Sequence, residues 1–206
     1  MKNVVIIDYG MGNLGSIANM LKKAGFIGVI SSDPSVVEKA EKLILPGVGA
    51  FDSGMKNIAQ LELIDILNFK VLEEKTPILG VCLGMQLLCK KSEEGHLPGL
   101  GWLDAQVIRF NFDKNENKHK IPNMGWNTIC IRQAHPLFSE LEVDNRFYFV
   151  HSYHVVCSDN RNVLAIAHYN FDFTAAIVKD NIMGVQFHPE KSHKFGMRLY
   201  KNFMEK

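Results

Sequence analysis

The 206-residue sequence predicts an α/β fold, a mostly parallel central sheet with helices on both faces plus a smaller antiparallel β portion. Three observations carry this expectation. Short apolar strands alternate with helix-periodic stretches through the first half. Those strands are apolar throughout, as in a sheet covered on both faces, and do not alternate apolar with polar. From Ala105 onward the chain changes to short β-like runs separated by turn residues.

In order, "NVVIID" reads as a strand, and Leu14 to Ala24 as a helix closed by Gly25. "IGVIS" is a strand, a short helix follows Pro34, and "KLILP" is a strand. A helical stretch around "MKNIAQLELIDILNFKVLEE" leads to the strand "TPILGV", and "LGMQLLCKKSEEG" after it carries apolar residues at helical spacing. The second half offers "AQVIRF", "NTICIR", "RFYFVHSYHVVCS", "NVLAIAHY", "TAAIVK" and "IMGVQF" as strands. "HKFGMRLYKNFMEK" reads as a closing amphipathic helix. The most polar stretch, "NFDKNENKHK" at 111–120, reads as an exposed hairpin tip or loop rather than a linker. With no repeat or low-complexity segment, residues 1–206 read as one domain.

Composition narrows the function. With 47% hydrophobic residues the chain can build a full core. A formal charge of +1, from 23 Lys and Arg against 22 Asp and Glu, leaves no broad basic field for nucleic acid or an anionic membrane. The apolar run in "MKNVVIIDYG" stops at Asp8, too soon for a signal-peptide core, and no stretch reaches spanning length, so a cytoplasmic protein is expected. Cys82, Cys89, Cys130 and Cys157 lack CxxC spacing, which argues against a disulfide framework and a structural zinc site. The last three read as inert core thiols.

Cys82 stands apart because "ILGVCLGMQ" at 78–86 sets it where a buried strand turns into a helix, with Gly80 and Gly84 two residues to either side. A side chain at those glycines would collide with neighbouring backbone in a sharp bend, the geometry of a nucleophile elbow. A helix start there favours a thiolate and offers N–H groups to an oxyanion. Taken alone, a strand-end cysteine reads first as a buried structural residue, and the flanking glycines are what shift the reading.

Near the C-terminus, "GVQFHPEKS" at 184–192 runs an apolar strand into His188, Pro189 and Glu190. Residues two apart on an extended chain project to one side, and Pro189 keeps His188 out of helical conformation, so imidazole and carboxylate can pair. The combination suggests a triad in which Cys82 attacks, His188 shuttles the proton and Glu190 orients the imidazole. "LPGVGAF" at 45–51 either brings backbone N–H groups to a reacting carbonyl oxygen or is an ordinary glycine-rich βα loop. His151, His154 and His168 read as hydrogen-bonded strand residues and not as metal ligands. "GMGNLG" with Asp33 downstream imitates a dinucleotide site, but Asp8 and Tyr9 lengthen the turn before its first glycine. Tight loop packing, at an interface for instance, is the structural alternative.

Together "GVCLGMQ", "FHPEKS", "LPGVGAF", "DYGMGN" and "MGWN" resemble the class I glutamine amidotransferases over essentially the whole chain. Within that class they resemble glutaminase subunits that serve a cyclase of histidine biosynthesis. The resemblance implies hydrolysis of glutamine to glutamate and ammonia through a γ-glutamyl thioester, with no cofactor or metal. It implies Cys82, His188 and Glu190 as the triad, and the N–H groups of Val48 and Leu83 as the oxyanion hole. Gly49, Gln86, Ser152 and Tyr153 would hold glutamine, while Asn13, Trp126, Tyr148 and Lys191 would lie at a partner interface. That partner would be a (β/α)-barrel cyclase subunit forming a heterodimer and receiving the ammonia. "IPNMGWN" departs from the pattern by carrying Asn123 where histidine is usual. "SEEGHLPGLGWLDAQV" resembles paralogues that supply ammonia for amidation or amidination of a bacterial surface-polysaccharide sugar, which is the alternative reading. A Cys–His–Glu hydrolase of another kind and a nucleotide-binding module are the rivals from other classes; neither accounts for elbow, loop and His-Pro-Glu together.

Overall fold

The computed structural model describes residues 4–112 and 120–205. The tip expected at 111–120 therefore falls, at 113–119, outside the described residues. The first half forms β1 (Val4–Ile7), α1 (Leu14–Lys23), β2 (Gly28–Ser31), α2 (Pro34–Glu38), β3 (Lys42–Leu45), α3 (Phe51–Gln60), α4 (Leu63–Asn68), β4 (Ile78–Val81) and α5 (Leu83–Leu87). The second half forms β5 (Lys91–Ser92), β6 (Ala105–Arg109), β7 (Asn123–Thr128), β8 (Cys130–Ile131), β9 (Arg146–His151), β10 (Tyr153–Cys157), β11 (Val163–Tyr169), β12 (Phe171–Lys179), β13 (Ile182–Val185) and α6 (His193–Glu205).

An 11-stranded sheet runs β2-β1-β3-β4-β13-β12-β10-β6-β5, with β11 pairing β12 and β8. The pairings from β2 to β13 are parallel; β12, β10 and β6 continue the sheet antiparallel. Every residue of β1, β3, β4 and β13 is buried. The alternation along β1 explains why. Val4 and Ile6 pack with Ile17 and Leu21 of α1 and Leu199 and Phe203 of α6, while Val5 and Ile7 pack with Ile58 of α3 and Leu63 and Leu67 of α4. The predicted two-faced sheet is thus present, and β7 and β9 form a separate antiparallel ribbon. Among the described residues no helix is long and apolar enough to cross a membrane.

Several elements differ from expectation for local reasons. The long helix begins at Phe51, breaks where Glu62 adopts φ 56°, and ends in a wider-wound turn over Phe69–Glu73. The helix expected over "LGMQLLCKKSEEG" spans only Leu83–Leu87. Carbonyls of Leu87, Leu88, Cys89 and Lys90, which further turns would need, accept instead from the N–H groups of Leu100, Leu103, Gly101 and Gly99. "NTICIR" becomes β7 and β8 on either side of buried Ile129, in different sheets, and "RFYFVHSYHVVCS" divides at Ser152 for the same reason. Asp33 proves to be a helix cap, its carboxylate accepting the Ser35 N–H at 2.8 Å ahead of Pro34. Of the three cysteines expected in the core only Cys89 is fully buried. Cys157 is half-buried and Cys130 exposed, because the short β8 lies at the sheet margin.

Candidate active site

The loops after β3, β4 and β13 converge, because those three strands are neighbours and parallel, and open α/β sheets bind ligands at such carboxyl ends. They carry Gly47 to Gly49, Cys82 and His188. Cys82 has φ 55° and ψ −110°, a strained conformation for a residue with a side chain. The flanking glycines make it affordable: a Cβ on Gly84 would lie 1.8 Å from the Leu45 carbonyl oxygen, and one on Gly80 would lie 2.8 Å from the Gly84 carbonyl oxygen. This is the elbow expected from the sequence.

His188 Nδ1 pairs with Glu190 Oε1 at 2.8 Å, both side chains being 1% exposed. With Nδ1 occupied, Nε2 is the nitrogen left for chemistry, and it is buried without a hydrogen-bond partner among the described residues. Burial alone would disfavour the imidazolium, but the attraction of nearby Cys82 and of Glu190 outweighs it and holds the His188 pKa well above its ordinary value. The backbone of His188 is pinned as tightly. Its N–H donates to Tyr148 O at 2.9 Å, the Ser192 hydroxyl donates to His188 O at 2.6 Å, and the Tyr148 N–H donates to Ser192 Oγ at 3.0 Å.

A cavity of about 260 Å³ opens over Cys82 and His188, and Val48, Gly49, Leu83, Gln86, Ser152 and Tyr153 line it. Ser152 sits where the chain leaves β9 for β10, and its carbonyl accepts the Phe110 N–H at 3.0 Å beside the β10–β6 pairing. The Leu83 N–H donates to Gly47 O at 3.3 Å, so it can serve an oxyanion only when that contact loosens. The "GMGNLG" loop packs on this same segment. The Tyr9 hydroxyl donates to Pro46 O, and Met11 Cε lies where a Cβ on Gly49 would stand. Burial, reinforced by Cys82, pushes the Tyr9 phenol well up, so it stays a donor.

Sequence reasoning missed four contributors. Glu94 lines the cavity, accepting the Phe51 N–H at 2.9 Å; burial raises its carboxyl above the ordinary range. His151 also lines it, kept neutral by burial that lowers its pKa to about 3. Gln186 donates through Nε2 to Cys82 Sγ at 3.8 Å. Ser192 locks the His188 backbone. Gln186 and Ser192 flank His-Pro-Glu, so adjacency was an available signal; Glu94 in "SEEGH" offered none.

Outside the cavity, half-exposed Trp126 stacks on His193 with ring centroids 5.4 Å apart and meets Tyr148 edge-on at 6.0 Å. Lys191 Nζ lies 5.6 Å from the Tyr148 ring centre. Trp126, Tyr148 and Lys191 thus form one aromatic and cationic cluster beside the His188 turn. Asn13 stands at the start of α1, a helix that packs against the 189–191 turn. Among the described residues no group of His, Cys, Asp or Glu is arranged to hold a metal ion.

Residues 5–206 match the family described as glutamine amidotransferase class-I. The chain is 57% identical over 202 residues to imidazole glycerol phosphate synthase subunit HisH 2 of Methanococcus maripaludis, covering 98% of each. It is 49% identical to the like-named subunit HisH 2 of Pseudomonas aeruginosa, again with 98% of each covered. Among solved structures, PurLQS from Thermotoga maritima aligns at a TM-score of 0.75 with 19% identity, covering 100% of this chain and 99% of that one. A glutamine amidotransferase from the same organism aligns at 0.65 with 20% identity, covering 99% and 84%.

Proposed function

The chain belongs to the class I glutamine amidotransferase family, and from that premise we propose that it is the glutaminase subunit of an imidazole glycerol phosphate synthase. The observation that carries the catalytic reading is the buried Glu190–His188 pair directed at the elbow cysteine on the floor of the cavity. In this reading Cys82, His188 and Glu190 are the triad. The Cys82 thiolate adds to the side-chain carbonyl carbon of glutamine, and His188 Nε2 gives its proton to the amide nitrogen as ammonia leaves. Water, deprotonated by the same nitrogen, then adds to the γ-glutamyl thioester, and glutamate departs as Cys82 is regenerated. Glu190 keeps the proton on Nδ1 and balances the imidazolium.

Glutamine is held by Gly49, Gln86, Ser152 and Tyr153, and its α-ammonium faces Glu94, the carboxylate lining the cavity. The N–H groups of Val48 and Leu83 receive the oxyanion, the second becoming free when Gly47 O releases it. That release is the step we assign to the partner, a (β/α)-barrel cyclase that docks on Asn13, Trp126, Tyr148 and Lys191 and receives the ammonia in the cytoplasm. The loop bearing Asn13 touches the Gly47 to Gly49 segment through Tyr9 and Met11, which gives docking a direct mechanical route to it.

The test is glutamate release by the purified chain with its cell's histidine-pathway cyclase, with and without the cyclase's own ligand, and with Cys82→Ala as control. Strong ligand-dependent release that vanishes in the variant is expected. No stimulation from an active cyclase would refute the histidine role and direct the search to an acceptor sugar.

A further inference from the structure

A buried chain of hydrogen bonds reaches the Cys82 sulfur, which as a thiol donates onward to Val150 O at 4.0 Å, and the directions of the chain are fixed by chemistry. It begins at the Tyr153 carbonyl, which can only accept. That oxygen receives His151 Nδ1 at 2.8 Å and Gln86 Nε2 at 3.2 Å. His151 therefore carries its proton on Nδ1, which leaves Nε2 to accept from Asn123 Nδ2 at 3.0 Å. Gln86 likewise has no freedom to flip, because its carbonyl oxygen would then oppose the Tyr153 oxygen. The second Nε2 hydrogen of Gln86 goes to Gln186 Oε1 at 3.1 Å. With its oxygen so engaged, Gln186 must turn its own Nε2–H toward Cys82 Sγ, 3.8 Å away. Gln186 is fully buried and Gln86 nearly so, which strengthens each contact and excludes competing water.

We propose that Gln186 is the hydrogen-bond donor that steadies the Cys82 sulfur as a thiolate, and that Gln86 is the positioning residue that aims it. The proposal rests on Cys82 being the nucleophile, as proposed above. A thiolate gains more from such a donor than a thiol does, since a bond to a charged acceptor is the stronger kind. His188 cannot fill this role throughout the reaction, because it must surrender its proton to the leaving ammonia. Gln186, which never titrates, can. The titratable groups beside the sulfur are His188 and Tyr9, which come from the β13 loop and the end of β1, and no variant below alters either.

The experiment is alkylation of Cys82 by iodoacetamide in the full chain, followed by the mass of the Cys82 peptide so that exposed Cys130 does not interfere. Rates are taken across a pH series. Gln186→Met keeps the bulk and removes the donor. It should slow alkylation near neutral pH about tenfold and move the profile to higher pH, given the usual strength of hydrogen bonds to charged groups. Gln186→Glu, which opposes the thiolate with an acceptor, should slow it further. With glutamine as substrate, Gln186→Met should lower kcat more than it raises KM. An unchanged pH profile in folded Gln186→Met would overturn the proposal. If that variant does not fold, Gln86→Met decides the matter. Slower alkylation supports the aiming role, and a wild-type rate overturns it. A chain that alkylates as expected yet fails to hydrolyse glutamine would count against the proposed function and not against this pair.

Discussion

Ser192→Ala tests whether the His188 turn is held by its backbone as well as by Glu190. The hydroxyl is wholly buried and makes two bonds, donating to His188 O at 2.6 Å and accepting the Tyr148 N–H at 3.0 Å. Alanine removes both with unequal effects. His188 O still accepts the Lys191 N–H at 3.0 Å, so it remains satisfied. The Tyr148 N–H, by contrast, is left without a partner, and an orphaned buried donor costs about 1–3 kcal/mol. At about 2–4 °C per kcal/mol for a chain of this size, the thermal midpoint should fall by about 2–12 °C. The same substitution removes two of the three bonds that fix His188 against β9, leaving only its N–H on Tyr148 O. Misplacing a catalytic base by an ångström can cost about a hundredfold, so kcat should fall about tenfold or more with KM little changed. Differential scanning calorimetry and glutamate release on one preparation read the two effects. Ser192→Ala with wild-type midpoint and kcat would refute the reasoning that this backbone clamp positions the base.

Glu94→Gln removes the charge proposed to face the substrate ammonium while keeping an acceptor for Phe51, so KM for glutamine should rise about tenfold or more with kcat nearly kept, in steady-state kinetics. Trp126→Ala removes the exposed anchor of the aromatic cluster and should weaken cyclase binding about thirtyfold by titration calorimetry, without changing the isolated chain's thermal midpoint. Stability should also peak near the ordinary imidazole pKa of 6.5 for two opposed reasons. His188, with its pKa raised, binds more protons folded than unfolded, so its contribution is lost as pH rises above 6.5. His151, lowered to about 3, stays neutral when folded, so stability falls as pH drops from 6.5 toward 3 and the unfolded chain gains the proton. Midpoints measured across pH should fall on both sides, and Glu190→Gln should flatten the alkaline side.

By itself the sequence determined β1, β3 and β4, because strands buried on both faces are apolar almost throughout and local pattern records that directly, whereas β2 at the sheet edge is half-exposed despite an apolar sequence. It determined the elbow as well. The strand-to-helix turn with glycines two residues to either side of Cys82 is legible in consecutive residues, even though Gly84 is pressed onto Leu45 of a neighbouring strand, and His188 pairs with Glu190 within one turn. Tertiary structure alone decided where helices stop and which side chains surround the proposed triad. The Leu83–Leu87 helix ends because the 99–103 loop captures its carbonyls, and Ser152 ends a strand because β9 and β10 belong to different sheets. Glu94 and the Tyr9 hydroxyl act on segments more than thirty residues away. Gln86 and Gln186 stand a hundred positions apart and meet only because β4 and β13 are neighbours. Hydrogen bonds of that reach leave no periodicity in the chain, since what fixes them is strand order and not residue spacing.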